Sequence, residues 1–226
     1  MLTKIKVAHV IRVFSYGGAE ILLKELLSTQ SFKDNCISDL YILDHKKLGL
    51  LPEVQPNIRQ SYFFKITTIG FLLEYISFLR KIISNKYDVV HMHLPVAAWM
   101  TIPAKLFCRK TKFVYTEHTL VPFYSRYNYY LSGLTYGFLD CVVSVSKEVS
   151  DEIQQNKKGW FFKRVHPVII LNGVNTDKFF VEDRTKITDP KKLRLGLVAR
   201  FRPNKRLDRW IEVADEIHKR NTDVQF

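Results

Sequence analysis

Cysteine is scarce in this chain. Cys36, Cys108 and Cys141 are the only three in 226 residues, far apart and each inside an apolar stretch. With no CxxC pair, neither a zinc ribbon nor a disulfide framework is indicated, and a reducing cytoplasm is the simplest home. An uninterrupted apolar run is missing as well. The stretch 66–83 is broken by Glu74, Arg80 and Lys81, so it does not read as a membrane span. The opening MLTKIKVAHVIRVF has no unbroken apolar core and no small-residue cleavage site, and it alternates like a first strand rather than a signal peptide. The GxGxxG spacing of dinucleotide sites is also absent, although Asp44 stands where the ribose-binding acid would. A nicotinamide-dependent oxidoreductase is therefore only a lesser alternative.

Acid is in short supply: 22 Asp and Glu face 35 Lys and Arg, a formal charge of +13 at pH 7. Such an excess asks for an anionic partner. RNA-binding signatures are lacking and the basic residues are not gathered into one arm, which argues against nucleic acid. Anionic lipid headgroups and phosphorylated substrates remain. The densest patch, residues 191–209, holds eight basic residues against the single acid Asp208. A run of this kind also serves as a merely solvated face.

What is present is a strand–helix alternation running almost end to end. The apolar strand 5–13 is followed by a turn at Ser15-Tyr16-Gly17-Gly18 and by helical spacing over 19–27. Strands are expected at 36–43, 87–92, 112–116, 141–145 and 167–171, with helices at 68–84, 97–107, 129–139 and 147–155. Ser146 is a natural N-cap for the last of these helices, and Asn172-Gly173 is a turn pair. Buried-type strands alternating with helices predict an α/β, Rossmann-like, doubly wound parallel sheet over residues 1–180. Residues 181–192, VEDRTKITDPKK, carry no period and read as a linker. Residues 193–226 offer one strand, one helix and the start of a third element, which reads as an incomplete second Rossmann-like domain.

Several residues are placed for chemistry. Gly17-Gly18 lies between the first strand and first helix, where free N–H groups and the helix dipole make an anion site; a plain strand-to-helix turn would need the same pair. His118 ends a strand on the side where doubly wound sheets bind ligands, or else simply caps the sheet edge. Adjacent strand residues point to opposite faces, so Glu117 is a less certain candidate. His91 and His93 share one strand face and raise the question of a metal, but the spacing along the chain offers no third ligand. Ser146, Asn172 and Gly173 fall at strand ends and line a crevice, or are architectural.

Six motifs in order carry a family resemblance. GGAE (17–20), YDVVHMH (87–93), FVYTEH (113–118), CVVSVSKEV (141–149), VIILNGVNTDKF (168–179) and the opening GLVARFRPNKRLD (196–208) of a second domain together cover most of the chain. The sequence resembles glycosyltransferase family 4, of the two-domain GT-B class. That resemblance implies a retaining transferase moving a sugar from a nucleotide-sugar donor to a saccharide or lipid-linked acceptor in surface polysaccharide biosynthesis. It implies no metal and no other cofactor. Arg200 and Lys205 correspond to the pair that grips the donor diphosphate, together with Gly17 and Gly18, and His118 to a catalytic histidine beside the transferred sugar. The sequence departs from the family at Asn175, where aspartate is more usual, and at Arg206, where glycine is. The family's pair of acids in its second domain finds no counterpart here. The chain is thus expected to be a fragment, inactive or weakly active alone. An alternative is a non-catalytic domain that binds acceptor or membrane. A lipid-linked acceptor would bring the protein to the cytoplasmic face of an anionic membrane. Two stretches suit such contact: the helix with Ile69, Phe71, Leu72, Tyr75, Phe78 and Leu79, and the loop with Trp160, Phe161 and Phe162 between basic residues.

Overall fold

The computed structural model describes residues 3–44, 59–62, 68–120, 125–155, 165–180, 193–199, 201 and 203–226. Two compact units form, Met1–Val174 and Asn175–Phe226. The proposed linker 181–192 lies outside the described residues.

The first unit is built on seven strands: β1 (Ile5–Ile11), β2 (Cys36–Ile42), β3 (Arg59–Tyr62), β4 (Val89–His93), β5 (Lys112–Glu117), β6 (Cys141–Ser144) and β7 (Val168–Ile169). Their spatial order is β3-β2-β1-β4-β5-β6-β7, and every pairing is parallel. The order reverses between β1 and β4, the switch point of a doubly wound sheet, where loops at the carboxyl ends diverge. Parallel strands need crossovers, and helices supply them. They are α1 (Gly18–Ser28), α2 (Gln30–Asn35), α3 (Thr68–Ser84), α4 (Pro95–Thr101), α5 (Arg126–Tyr136) and α6 (Lys147–Gln155).

Strand parity sorts the core into two faces. Ala8, Val10, Val90, Met92, Phe113 and Tyr115 meet Phe78 and Ile82 of α3, together with α4 residues Ala97 and Ala98. Ile11, Leu40 and Ile42 turn the other way, onto Leu23 and Leu27 of α1. Burying one such aliphatic or aromatic side chain contributes about 1.5–3 kcal/mol. Helix α3 shows the division of labour along one element. Tyr75, Phe78, Leu79 and Ile82 face the sheet, while Phe71, Leu72, Leu73 and Ile76 stay exposed. Phe78, completely buried, is therefore unavailable for the membrane contact expected of it, and Tyr75 and Leu79 are turned largely inward.

The second unit contains a 3-10 turn (Pro203–Lys205) leading into α7 (Leu207–Arg220). Of the strand expected over 193–200, the described residues 193–199 form one parallel bridge, Arg194 with Gln225, supported by Leu195 N–H donating to the Gln225 carbonyl at 2.9 Å. Arg206, the N-cap of α7, sits at φ 48°, ψ 45°. This is the left-handed conformation that glycine adopts freely, which gives a physical reading to the departure noted at this position. At Asn175 the departure is chemically mild. Its side-chain oxygen accepts the N–H groups of Asp177 (3.0 Å) and Lys178 (3.2 Å), a turn that an aspartate oxygen would close equally well.

Candidate functional site

The carboxyl ends of β1, β4 and β5 gather four imidazoles. His9 is paired in register with His91, and His93 follows two residues later on the same strand face. His9 Nδ1 lies 3.4 Å from His93 Nε2, and His93 Nδ1 lies 3.5 Å from His118 Nε2. His91 Nε2 meets Thr116 Oγ1 at 2.7 Å. His9 and His93 are buried, whereas His118, one residue past β5, is half-buried. Desolvation keeps all four rings neutral. It holds His118 at about 4, holds His91 at about 4 with help from the charge of His118, and pushes His9 and His93 well below the ordinary range.

Backbone strain borders the cluster. Leu94, directly after His93, takes φ 69°, ψ 154° as it turns the chain into α4, a conformation costing on the order of 1–3 kcal/mol for a side-chain-bearing residue.

Nitrogens of His9, His91 and His93 lie within 4.8 Å of one another, the donor set of a three-histidine metal centre. Two nitrogens sharing a tetrahedral zinc at ~2.0–2.1 Å stand about 3.3 Å apart, close to the 3.4 Å between His9 Nδ1 and His93 Nε2. No carboxylate in the set would offset its charge. The third imidazole was hidden from a reading of spacing because it comes from β1, 84 residues before His93.

Glu117 points to the opposite face from this cluster. It is fully buried and accepts the hydroxyls of Tyr115 (2.6 Å) and Tyr136 (3.1 Å) and the N–H of Thr119 (3.0 Å). Its carboxylate is therefore occupied with holding the turn that carries His118.

Gly17 caps α1 in extended conformation and Gly18 is its first residue. A Cβ on Gly17 would overlap the carboxylate of Glu20, itself buried, whereas the space at Gly18 is open. The α1 N-terminus thus already has a carboxylate beside it, and only Gly18 leaves room for another group. Ser146 Oγ accepts the N–H of Val149 at 3.3 Å, the capping role expected of it. Asn172 and Gly173 are exposed just after β7. Lys205 is exposed at the end of the 3-10 turn in the second unit. Arg200, Trp160, Phe161 and Phe162 lie outside the described residues. Among those described, no helix is long and apolar enough to cross a membrane.

A doubly wound parallel sheet whose polar cluster and Gly-Gly turn sit at the strands' carboxyl ends is the fold of a GT-B N-terminal domain. Residues 16–178 match the family Glycosyltransferase Family 4, and the chain belongs to it. Comparison with curated sequences gives no match. Among solved structures, the Anabaena protein HepE in complex with UDP and glucose superposes with a TM-score of 0.72 at 17% identity, over 97% of this chain and 59% of that one. Sucrose-phosphate synthase from Thermosynechococcus elongatus gives 0.64 at 16% identity, over 95% and 60% of the two chains. A glycosyltransferase from Rickettsia africae gives 0.55 at 20% identity, over 95% and 50%. The chain thus spans half to three fifths of the length of these proteins. At such identities the likeness establishes the fold.

Proposed function

We propose that this chain is the acceptor-side part of a retaining glycosyltransferase that uses a nucleotide-sugar donor without a metal. The observation that carries the reading is the place of His118. It stands at the carboxyl edge of the sheet, half-buried, in a chain whose matched family transfers sugars. The UDP and glucose of the HepE structure make UDP-glucose the first donor to try.

Departure of a nucleoside diphosphate builds negative charge on its oxygens as the glycosidic bond breaks. Arg200 and Lys205 supply cations for that charge, a kind of stabilisation that works best when the groups are held in place beforehand. The departing diphosphate then takes the proton of the incoming acceptor hydroxyl, so the sheet needs no carboxylate nucleophile. This agrees with a Glu117 whose oxygens are already engaged. His118, neutral near pH 7, hydrogen-bonds a sugar oxygen. The acceptor is a saccharide or a lipid-linked saccharide in surface polysaccharide synthesis, and the excess of basic residues suits docking on an anionic cytoplasmic leaflet.

The test supplies a full-length version of the protein with radiolabelled UDP-glucose, then with other nucleotide sugars, in the presence of a membrane lipid extract. Label in the lipid or saccharide fraction, lost in His118→Ala, is the expected result. Absence of transfer from every donor, together with unimpaired acceptor or vesicle binding, would favour a binding domain that does no chemistry.

A further inference from the structure

The imidazoles at the ends of β1, β4 and β5 form a chain with a direction. Its links are His9 Nδ1 to His93 Nε2 and His93 Nδ1 to His118 Nε2, at 3.4 and 3.5 Å. A neutral imidazole has one N–H and one lone pair, so each link forces the next. Only two arrangements satisfy both links. In one, His9 donates from Nδ1 to His93, His93 donates from Nδ1 to His118, and the proton of His118 rests on Nδ1. In the other, every donor and acceptor is exchanged, and the proton of His9 rests on Nε2.

The far end of the chain chooses between them. His9 Nε2 is buried with no hydrogen-bond partner among the described residues, in a ring packed against those of His91 and Phe32, centroids 5.3 and 5.6 Å away. The second arrangement would strand an N–H at that nitrogen. The first leaves only a lone pair there, and orphaned buried donors are the rarer and more costly case. Protonation does not rescue the second arrangement, because burial disfavours an imidazolium in this chain.

We infer that His93, backed by His9, is a positioning residue that fixes His118 as its Nδ1–H tautomer. His118 then presents an N–H to the ligand side through Nδ1, which has no hydrogen-bond partner among the described residues. Its lone pair is tied up at Nε2. The residue is thereby a hydrogen-bond donor to an oxygen of a sugar and not a general base. This deepens the reading of His118 as the sugar-facing group and rests on it. The tautomer itself is readable with no substrate present, so the two can fail separately.

The experiment is ¹H–¹⁵N correlation NMR of the histidine rings in the intact protein near neutral pH, with seven histidines to assign. His118 should show an N–H-type shift at Nδ1 and a lone-pair-type shift at Nε2, the reverse of the tautomer that free histidine prefers in water. In His9→Phe and in His93→Phe, Nδ1–H should lose its preference and the pattern should move toward Nε2–H. A wild-type His118 carrying its proton on Nε2 overturns the inference, and so does a pattern unchanged in both variants. Should either variant fail to fold, the wild-type spectrum decides alone. Failure of sugar transfer with the expected tautomer would count against the function and leave the chain of imidazoles intact.

Discussion

Glu117 Oε1 accepts the N–H of Thr119 at 3.0 Å, closing a tight loop around the residue between them, His118. The same carboxylate is anchored from below by two tyrosine hydroxyls, those of Tyr115 and Tyr136. Glu117, a less certain site candidate in the sequence, is therefore a fastener for the turn that carries His118.

Glu117→Ala should accordingly destabilise the protein strongly. It leaves two hydroxyls and an amide without their acceptor in a fully buried place, each an unmet desolvation of about 1–3 kcal/mol. Urea unfolding is expected to register a loss on the order of 3 kcal/mol, allowing for partial relaxation. A loss below about 0.5 kcal/mol, the scale of an ordinary surface substitution, would mean the carboxylate is not the anchor.

The two glycines of the first turn should separate cleanly. Gly18→Ala meets open space at the first position of α1 and should leave stability unchanged or slightly raised, since alanine is the better helix former. Gly17→Ala must displace the Glu20 carboxylate and should cost on the order of 1–2 kcal/mol. Adding Glu20→Ala to Gly17→Ala should recover part of that loss, and the double-mutant cycle gives the coupling directly. Strict additivity would show that Glu20 is not what occupies the space.

Acid should loosen the fold through the histidines. Burial keeps His91 and His118 down at about 4 in the folded protein, against an ordinary value of 6.5, and lowers His9 and His93 as well. The unfolded chain takes up protons as pH falls through its own histidine range, and the folded protein does not. Stability is thus full above 6.5, declines as pH falls toward about 4, and levels off with respect to His91 and His118 below that. Each unit of depression is worth about 1.4 kcal/mol, so the combined decline should reach several kcal/mol, order of magnitude. Urea midpoints compared between about pH 7.5 and about pH 5 provide the check. A flat profile would mean these rings are wetter than they look, and His9→Phe should make the profile shallower.

For the donor side, Arg200→Ala and Lys205→Ala, made in a full-length version of the protein, should each lower transfer by about 10²-fold, the usual effect of losing one charged contact to a developing anion. Initial rates with the donor that works best measure this. Activity within about threefold of the parent would remove the residue from the site.

Membrane docking has a separate readout. Co-sedimentation with vesicles containing anionic lipid should be strong at low salt, weaker at high salt, and reduced when Trp160, Phe161 and Phe162 become serine. Binding that ignores the triple change would shift attention to Phe71, Leu72, Leu73 and Ile76, the exposed apolar side of α3.

Legibility from sequence followed the strength of the pattern. Helix α3 could be read to its ends because its apolar period is long, and the central strands β4 and β5 because each holds a short β-branched and aromatic run, VV and FVY, inside a recognisable motif. Helix α2, QSFKDN, and strand β3, RQSY, were missed: one is short and exposed, the other polar and at the sheet edge, so neither carries a period. The stretch 193–200 had strand composition, yet a strand exists only where a neighbour accepts its hydrogen bonds, and among its described residues, 193–199, a single bridge does. In the site, His118, His91 and His93 were visible because motifs hold them. His9 was not, since only the lateral register of β1 on β4 brings it across.

That register also sets a clock for synthesis. Strand β1 can pair with β2 soon after both are made, but its other edge waits for β4; Lys6 N–H donates to Asp88, 82 positions later. At about 5–20 residues per second, a ribosome needs roughly 4–16 s to supply that partner. During this interval the apolar edge of β1 is open to the wrong neighbour, a hazard for slow parallel pairings. Capture of β4 closes the edge and, in the same event, brings His9 against His91 and His93. A nascent chain halted before β4 should therefore be sticky and lack the imidazole cluster altogether, whereas one extended past β5 has the whole set.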